Sequence, residues 1–186
     1  MKKLLLSFLF LPFTFIVNAQ NTKPSTKETY DYIQNLLDDA NGYTISYTNG
    51  SVDKISLSYY NYRSNIKDRD YFYGGEASTK DLGCDDRNYY SNIDFSKLNG
   101  EPSGYAEDRI SSSSSLKKLQ LTFTANSVLY ELAGTCPNKH AQQPTSTVIF
   151  VYRNEEGVKE RLIKAILYLS KLRKEEEKAK SDPFVN

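Results

Sequence analysis

The chain has 186 residues, with 24 Lys and Arg against 23 Asp and Glu, one histidine, two cysteines and a formal charge of +1. This length accommodates one domain with a sizeable core. So near-neutral a balance gives no electrostatic reason to expect nucleic acid or an anionic membrane as partner.

The first stretch, "MKKLLLSFLFLPFTFIVNAQ", places Lys2 and Lys3 before an apolar run from Leu4 to Val17 and a small-residue pattern, Val17-Asn18-Ala19. That pattern predicts a Sec signal peptide over residues 1–19, cleaved after Ala19. The apolar run of about 14 residues, broken by Pro12, falls short of the roughly 20 that a spanning helix needs. No cysteine follows the cleavage site to accept a lipid. The expected mature protein is secreted or periplasmic, has no membrane span, and carries a formal charge of −1 once Lys2 and Lys3 are gone.

Residues 20–25 read as a polar lead-in. Ser25 and Glu28 then form a capping-box pattern. Tyr30, Ile33, Leu37 and Ala40 follow at helical spacing with Leu36 beside them, and Asn41-Gly42 supplies a stop, so a short helix is predicted from about Thr26 to Ala40. Ile45 and Tyr47, then Ile55, Leu57 and Tyr59, alternate on either side of Asn49-Gly50, the signal of a hairpin. From Ser64 to Ser115 glycines and a five-serine run obscure the pattern. Two short strands stand out there, around Tyr71 to Tyr73 and around Tyr89 to Phe95.

Alternation resumes at Leu119, Leu121 and Phe123; Asn126-Ser127 turns the chain and "SVLYELAG" returns. "STVIFVYR", Ser146 to Arg153, is apolar on both faces and predicts a doubly covered strand. Asn154, followed by Glu155 and Glu156, predicts the start of a helix. One face of that helix is Val158, Leu162, Ala165, Ile166, Leu169 and Leu172, widened by Ile163 and Leu167. Beyond it "RKEEEKAKSDPFVN" reads as a solvated helical tail with balanced charges, ended by Pro183.

The predicted fold class is α+β: a curled antiparallel sheet or partly open barrel of about seven strands, with a short N-terminal helix and a C-terminal capping helix. One domain is expected over 26–174, with a charged C-terminal tail at 175–186.

This order of elements resembles a pleckstrin-homology-like barrel, with four strands, then three, then a closing helix. "TKETYDYIQNLL", "NYYSNIDFSKL" and "ERLIKAILYLSKL" with "SDPF" further resemble a group of small secreted proteins of Bacteroidetes-type bacteria. The resemblance implies a fold and an address, and carries no catalytic residues over. It does not imply the phosphoinositide binding of cytosolic members, because the turn from Thr48 to Asp53 contains no basic residue.

Three chemistries compete for Cys84, Cys136 and His140. Two cysteines in an exported chain predict one disulfide, Cys84 to Cys136. A hydrolase with Cys136 as nucleophile and His140 as base is the alternative, but it needs a third group to orient the histidine, and Pro137 removes a backbone donor that an oxyanion would use. A zinc site wants four strong ligands where the chain offers three, so no metal and no cofactor is expected. A carboxylate pair for glycoside hydrolysis leaves no mark in sequence. Fifteen tyrosines and no tryptophan are the oddest feature. Tyrosine suits sugar and protein surfaces, although it is also simply a good strand former. The reading is therefore a non-enzymatic binding module for an extracellular or envelope protein or glycan, with Tyr60, Tyr62, Tyr71, Tyr73 and Tyr90 as the candidate exposed contacts.

Overall fold

The computed structural model describes residues 23–40, 44–45, 55–65, 70–79, 84–105, 115–134 and 141–181, and side chains within 23–40, 88–105, 115–133 and 141–181. The stretch expected to be a signal peptide, Cys136, His140 and most of the serine run lie outside these residues.

Helix α1, Thr26–Asp38, begins as its sequence requires. Ser25 caps it, with the Ser25 N–H donating to Glu28 Oε2 at 2.8 Å and the Glu28 N–H donating to Ser25 Oγ at 3.3 Å. The helix stops two residues earlier than predicted, yet Tyr30, Ile33, Leu36, Leu37 and Ala40 are all buried.

Nine strands occur among the described residues, two of them only two residues long, arranged in two antiparallel sheets. The larger takes β1 (Thr44–Ile45), β2 (Ile55–Asn65), β3 (Asp70–Thr79), β4 (Cys84–Ser91), β7 (Val128–Gly134) and β8 (Ala141–Thr145) in that spatial order; the smaller takes β5 (Ser103–Gly104), β6 (Leu116–Thr122) and β9 (Thr147–Arg153). The first hairpin places Ile45 opposite Ile55. No pairing among the described residues joins the two ends of the larger sheet into a closed barrel.

Several expectations are corrected. The strand around Tyr71 to Tyr73 is longer than its short signal, Asp70–Thr79, and takes in Gly74 and Gly75. The strand expected to reach Phe95 ends at Ser91, because Asn92 turns to a φ of 59° and Asp94 caps a short 3-10 turn, Phe95–Lys97, by accepting from the Ser96 N–H at 3.0 Å. The turn after β6 has positive φ at Ala125 and Asn126, and it leads into the other sheet: β6 pairs with β9, while β7 pairs with β4 and β8. Strand β8, "AQQPT", has a polar sequence with no strand signal; it is an exposed edge, where Pro144 is tolerated.

The last helix, α2, spans Val158–Ser181. It starts four residues beyond Asn154 because Gly157, with a φ of 73°, interrupts the chain just before it. Val158, Leu162, Ala165, Ile166 and Leu169 are buried as predicted, but Leu167 is exposed and Leu172 half-buried. The helix continues to Ser181, as a helical tail requires. Its Arg173 is buried and paired with Glu176, whose Oε1 accepts from Thr26 Oγ1 at 2.5 Å. This stretch is therefore docked against the start of α1.

Helices α1 and α2 pack side by side, α2 against the 3-10 turn and both against β9. Three aromatic residues tie these layers together. Phe95 is fully buried and meets Tyr30 of α1 and Phe123 edge-on, with ring centroids 5.9 and 6.0 Å apart.

Candidate functional site

The larger sheet gathers the tyrosines into a pattern. Tyr62, Tyr73, Tyr90 and Tyr130 are successive register partners on β2, β3, β4 and β7, so they occupy one transverse row. Tyr60 and Tyr71 stand two residues along their strands from that row. Of the five candidate residues only Tyr90 has a described side chain, and it is not an exposed contact. It is half-buried against the core, its ring 5.2 Å from that of Tyr130, whose hydroxyl donates to Asn88 Oδ1 at 2.7 Å. Strand parity allowed either Tyr89 or Tyr90 to face inward, and the register sends Tyr90 to the core.

Burial pushes the Tyr90 hydroxyl up to about 12, reinforced by Tyr130 and partly offset by a hydrogen bond with the Ile149 backbone. Burial also pushes Tyr30 up to about 12; the Arg173 charge opposes this while Asp94 and Glu176 add to it. Both groups are neutral in the native state and ionise at about 10 in the unfolded chain, so their stabilisation is complete below pH 10 and lost as pH rises toward 12. Stability should fall steeply over that interval, by an order of 2 kcal/mol per tyrosine. Absorbance titration should show these two tyrosines ionising after the exposed ones; a single midpoint near 10 for all tyrosines would contradict their burial.

A concave site lies elsewhere among the described residues, where α1 and α2 run side by side. A groove of about 510 Å³ opens between them, lined by Pro24, Glu28, Thr29 and Tyr32 on one side and Arg161, Lys164, Ala165 and Tyr168 on the other. Helical geometry explains its walls. Tyr30 and Ile33 point into the core, so Tyr32, two residues past Tyr30, projects from the opposite side and is 42% exposed. Tyr168 flanks the buried Leu169, and its hydroxyl donates to the Pro24 carbonyl at 3.0 Å, fixing the ring across the groove.

The charged groups at the rim are held too. Glu28 accepts from the Ser25 N–H and, at 2.7 Å, from the Ser25 hydroxyl, and these bonds hold its carboxyl below the usual range. Arg161 Nε donates to the Gly157 carbonyl at 3.2 Å. Two tyrosine faces, one fixed carboxylate and two cations form a surface suited to recognition by stacking and hydrogen bonding.

Cys84 opens β4, with its side chain outside the described residues, as are Cys136 and His140 entirely. Among the described residues no cluster of three or more His, Cys, Asp or Glu could hold a metal ion, and no helix is long and apolar enough to cross a membrane. Sequence reasoning missed Tyr32 and Tyr168 because it sought tyrosines on strands. The available signal was their position just off two well-marked apolar helix faces.

No family model, curated protein or solved structure matches this chain.

Proposed function

We propose that the protein is a non-enzymatic binding module, exported by residues 1–19 and released to the periplasm or the exterior, that takes a glycan in the groove between α1 and α2. The observation that carries this reading is the pair Tyr32 and Tyr168 walling a groove with a polar rim. Flat amphipathic rings cover the apolar faces of sugars, while side chains at the rim exchange hydrogen bonds with hydroxyls. Tyr32→Ala should weaken binding of a glycan by about tenfold, the loss of one stacked ring, while leaving the thermal midpoint nearly unchanged because the ring is exposed. Unchanged affinity would remove the groove from consideration.

The pleckstrin-homology-like reading of the fold belongs to the same proposal. Its support is the run of four consecutive antiparallel strands, β1 to β4, and a C-terminal helix laid against the second sheet.

So does the Cys84 to Cys136 bridge. Asp86 and Gly134 are backbone partners on β4 and β7; Cys84 precedes the first by two residues and Cys136 follows the second by two. The same register, carried two residues further, would set the cysteines opposite each other. Opposed residues of antiparallel strands have Cα atoms about 4.5–5.5 Å apart, inside the disulfide range of about 4.4–6.8 Å. Closing a loop of about 51 residues this way contributes roughly 3–4 kcal/mol by chain entropy. The unreduced protein should weigh about two daltons less than the reduced one and show no free thiol. Two free thiols would remove the bridge and return Cys136 and His140 to consideration as a reactive pair.

A further inference from the structure

In sequence the end of α2, "KLRKEEEKAK", has balanced charges, but folding separates them. Arg173 is 4% exposed and turned inward. Glu176 pairs with it and also accepts from Thr26, and Glu177 is half-buried with Oε1 out of contact with solvent. The lysines remain outside. Lys164, Lys171 and Lys178 recur every seven residues along the outer crest of α2, with Lys174 beside them, all exposed. The acids on this crest are Glu160, also exposed, and Glu175, which stands 3.9 Å from Lys171.

Lys171, Lys174 and Lys178, with one acid, Glu175, among them, border a second depression, of about 500 Å³, lined also by Leu98 and Leu167. Lys174 donates to the Leu98 carbonyl at its edge, at 3.4 Å. Lys164 lines the aromatic groove, so the cationic crest begins at the groove and continues away from it along the helix. Seven helical residues advance about 10 Å, so Lys164 to Lys178 spans about 21 Å in a nearly straight line.

We propose that the ligand is an acidic linear glycan, whose sugar rings sit against Tyr32 and Tyr168 and whose carboxylates run along Lys164, Lys171, Lys174 and Lys178. This rests on the glycan reading of the groove and adds the charge of its ligand. Excess positive charge along an extended line complements an extended polyanion. A membrane surface fits less well, because Leu167 is the one exposed large aliphatic residue among those described and gives little apolar area to insert.

The test compares binding of the full mature protein to polygalacturonate and to the same polymer fully methyl-esterified, at low and near-physiological salt. The acidic polymer should bind at least about tenfold tighter, and the preference should shrink with salt. Lys171→Gln, Lys174→Gln and Lys178→Gln combined should erase most of that preference while Tyr32→Ala weakens both polymers. All three lysines are exposed, so the combined variant should fold normally, which its circular dichroism and thermal midpoint check. Equal affinity for the two polymers, indifference to the lysine changes, or binding of neither polymer overturns the proposal. Loss of both polymers on Tyr32→Ala with no charge preference keeps the glycan reading and removes only the acidic one. Sedimentation with phosphatidylglycerol vesicles in the absence of polymer binding would assign the crest to a membrane surface instead.

Discussion

Phe95→Ala should destabilise the protein by about 3–5 kcal/mol, the cost of a large cavity at a closely packed aromatic centre. Phe95 has no solvent exposure and meets Tyr30 and Phe123 edge-on, one from α1 and the other just beyond β6. Its ring therefore fills the space between the helices and the smaller sheet, and removing it strips contacts from both. Phe95→Leu, which keeps most of the volume, should cost less. Urea unfolding measures both, and a Phe95→Ala loss under about 1 kcal/mol would show that the ring is not central to this core.

Arg173→Ala is the second large effect. A buried guanidinium contributes through its stem as well as its charge, and truncation leaves the Glu176 carboxylate without its cation. Breaking a buried pair from one side costs about 3–5 kcal/mol, and because the Glu176 side chain is 38% exposed and can recover water, about 2–3 kcal/mol is expected here. Arg173→Met keeps the stem and removes the buried charge, so it should recover much of the loss. Glu176→Gln should fall between the two. If Arg173→Met unfolds as readily as Arg173→Ala in urea, the charge and not the packing fastens the end of α2 to α1.

Both helices were legible in the sequence where the signal was apolar spacing. Every residue assigned to the buried face of α1 is buried, and so are five of the six on the main face of α2. The doubly apolar "STVIFVYR" gives β9, whose Phe150, Val151 and Tyr152 are buried in succession. Local chemistry failed where partner choice mattered. The turn before β7 is marked by Asn126, but turn residues bend a chain without specifying which strand it joins, and β7 joins the other sheet. Strand β8 carries no apolar alternation because it lies exposed at an edge. The tail reads as solvated in sequence because its charges pair at i,i+4 spacing within one helix. Arg173 and Glu176 are drawn inward by Thr26 and Tyr30, residues some 150 positions earlier, which no window along the chain contains. The candidate site escaped for a related reason. Tyr32 and Tyr168 belong to helices far apart in sequence, and the groove exists only where those helices meet.

The measurement that tests the central claim most directly is a nuclear magnetic resonance titration of the labelled protein with a linear oligosaccharide. Recognition in the groove predicts shift changes concentrated at Thr29, Tyr32, Arg161, Lys164, Ala165 and Tyr168, extending along α2 to Lys178 when the sugars are acidic. Shifts centred on β2 and β3, around Tyr60, Tyr62, Tyr71 and Tyr73, with the α1 and α2 resonances unmoved, would contradict the account and return the binding face to the larger sheet.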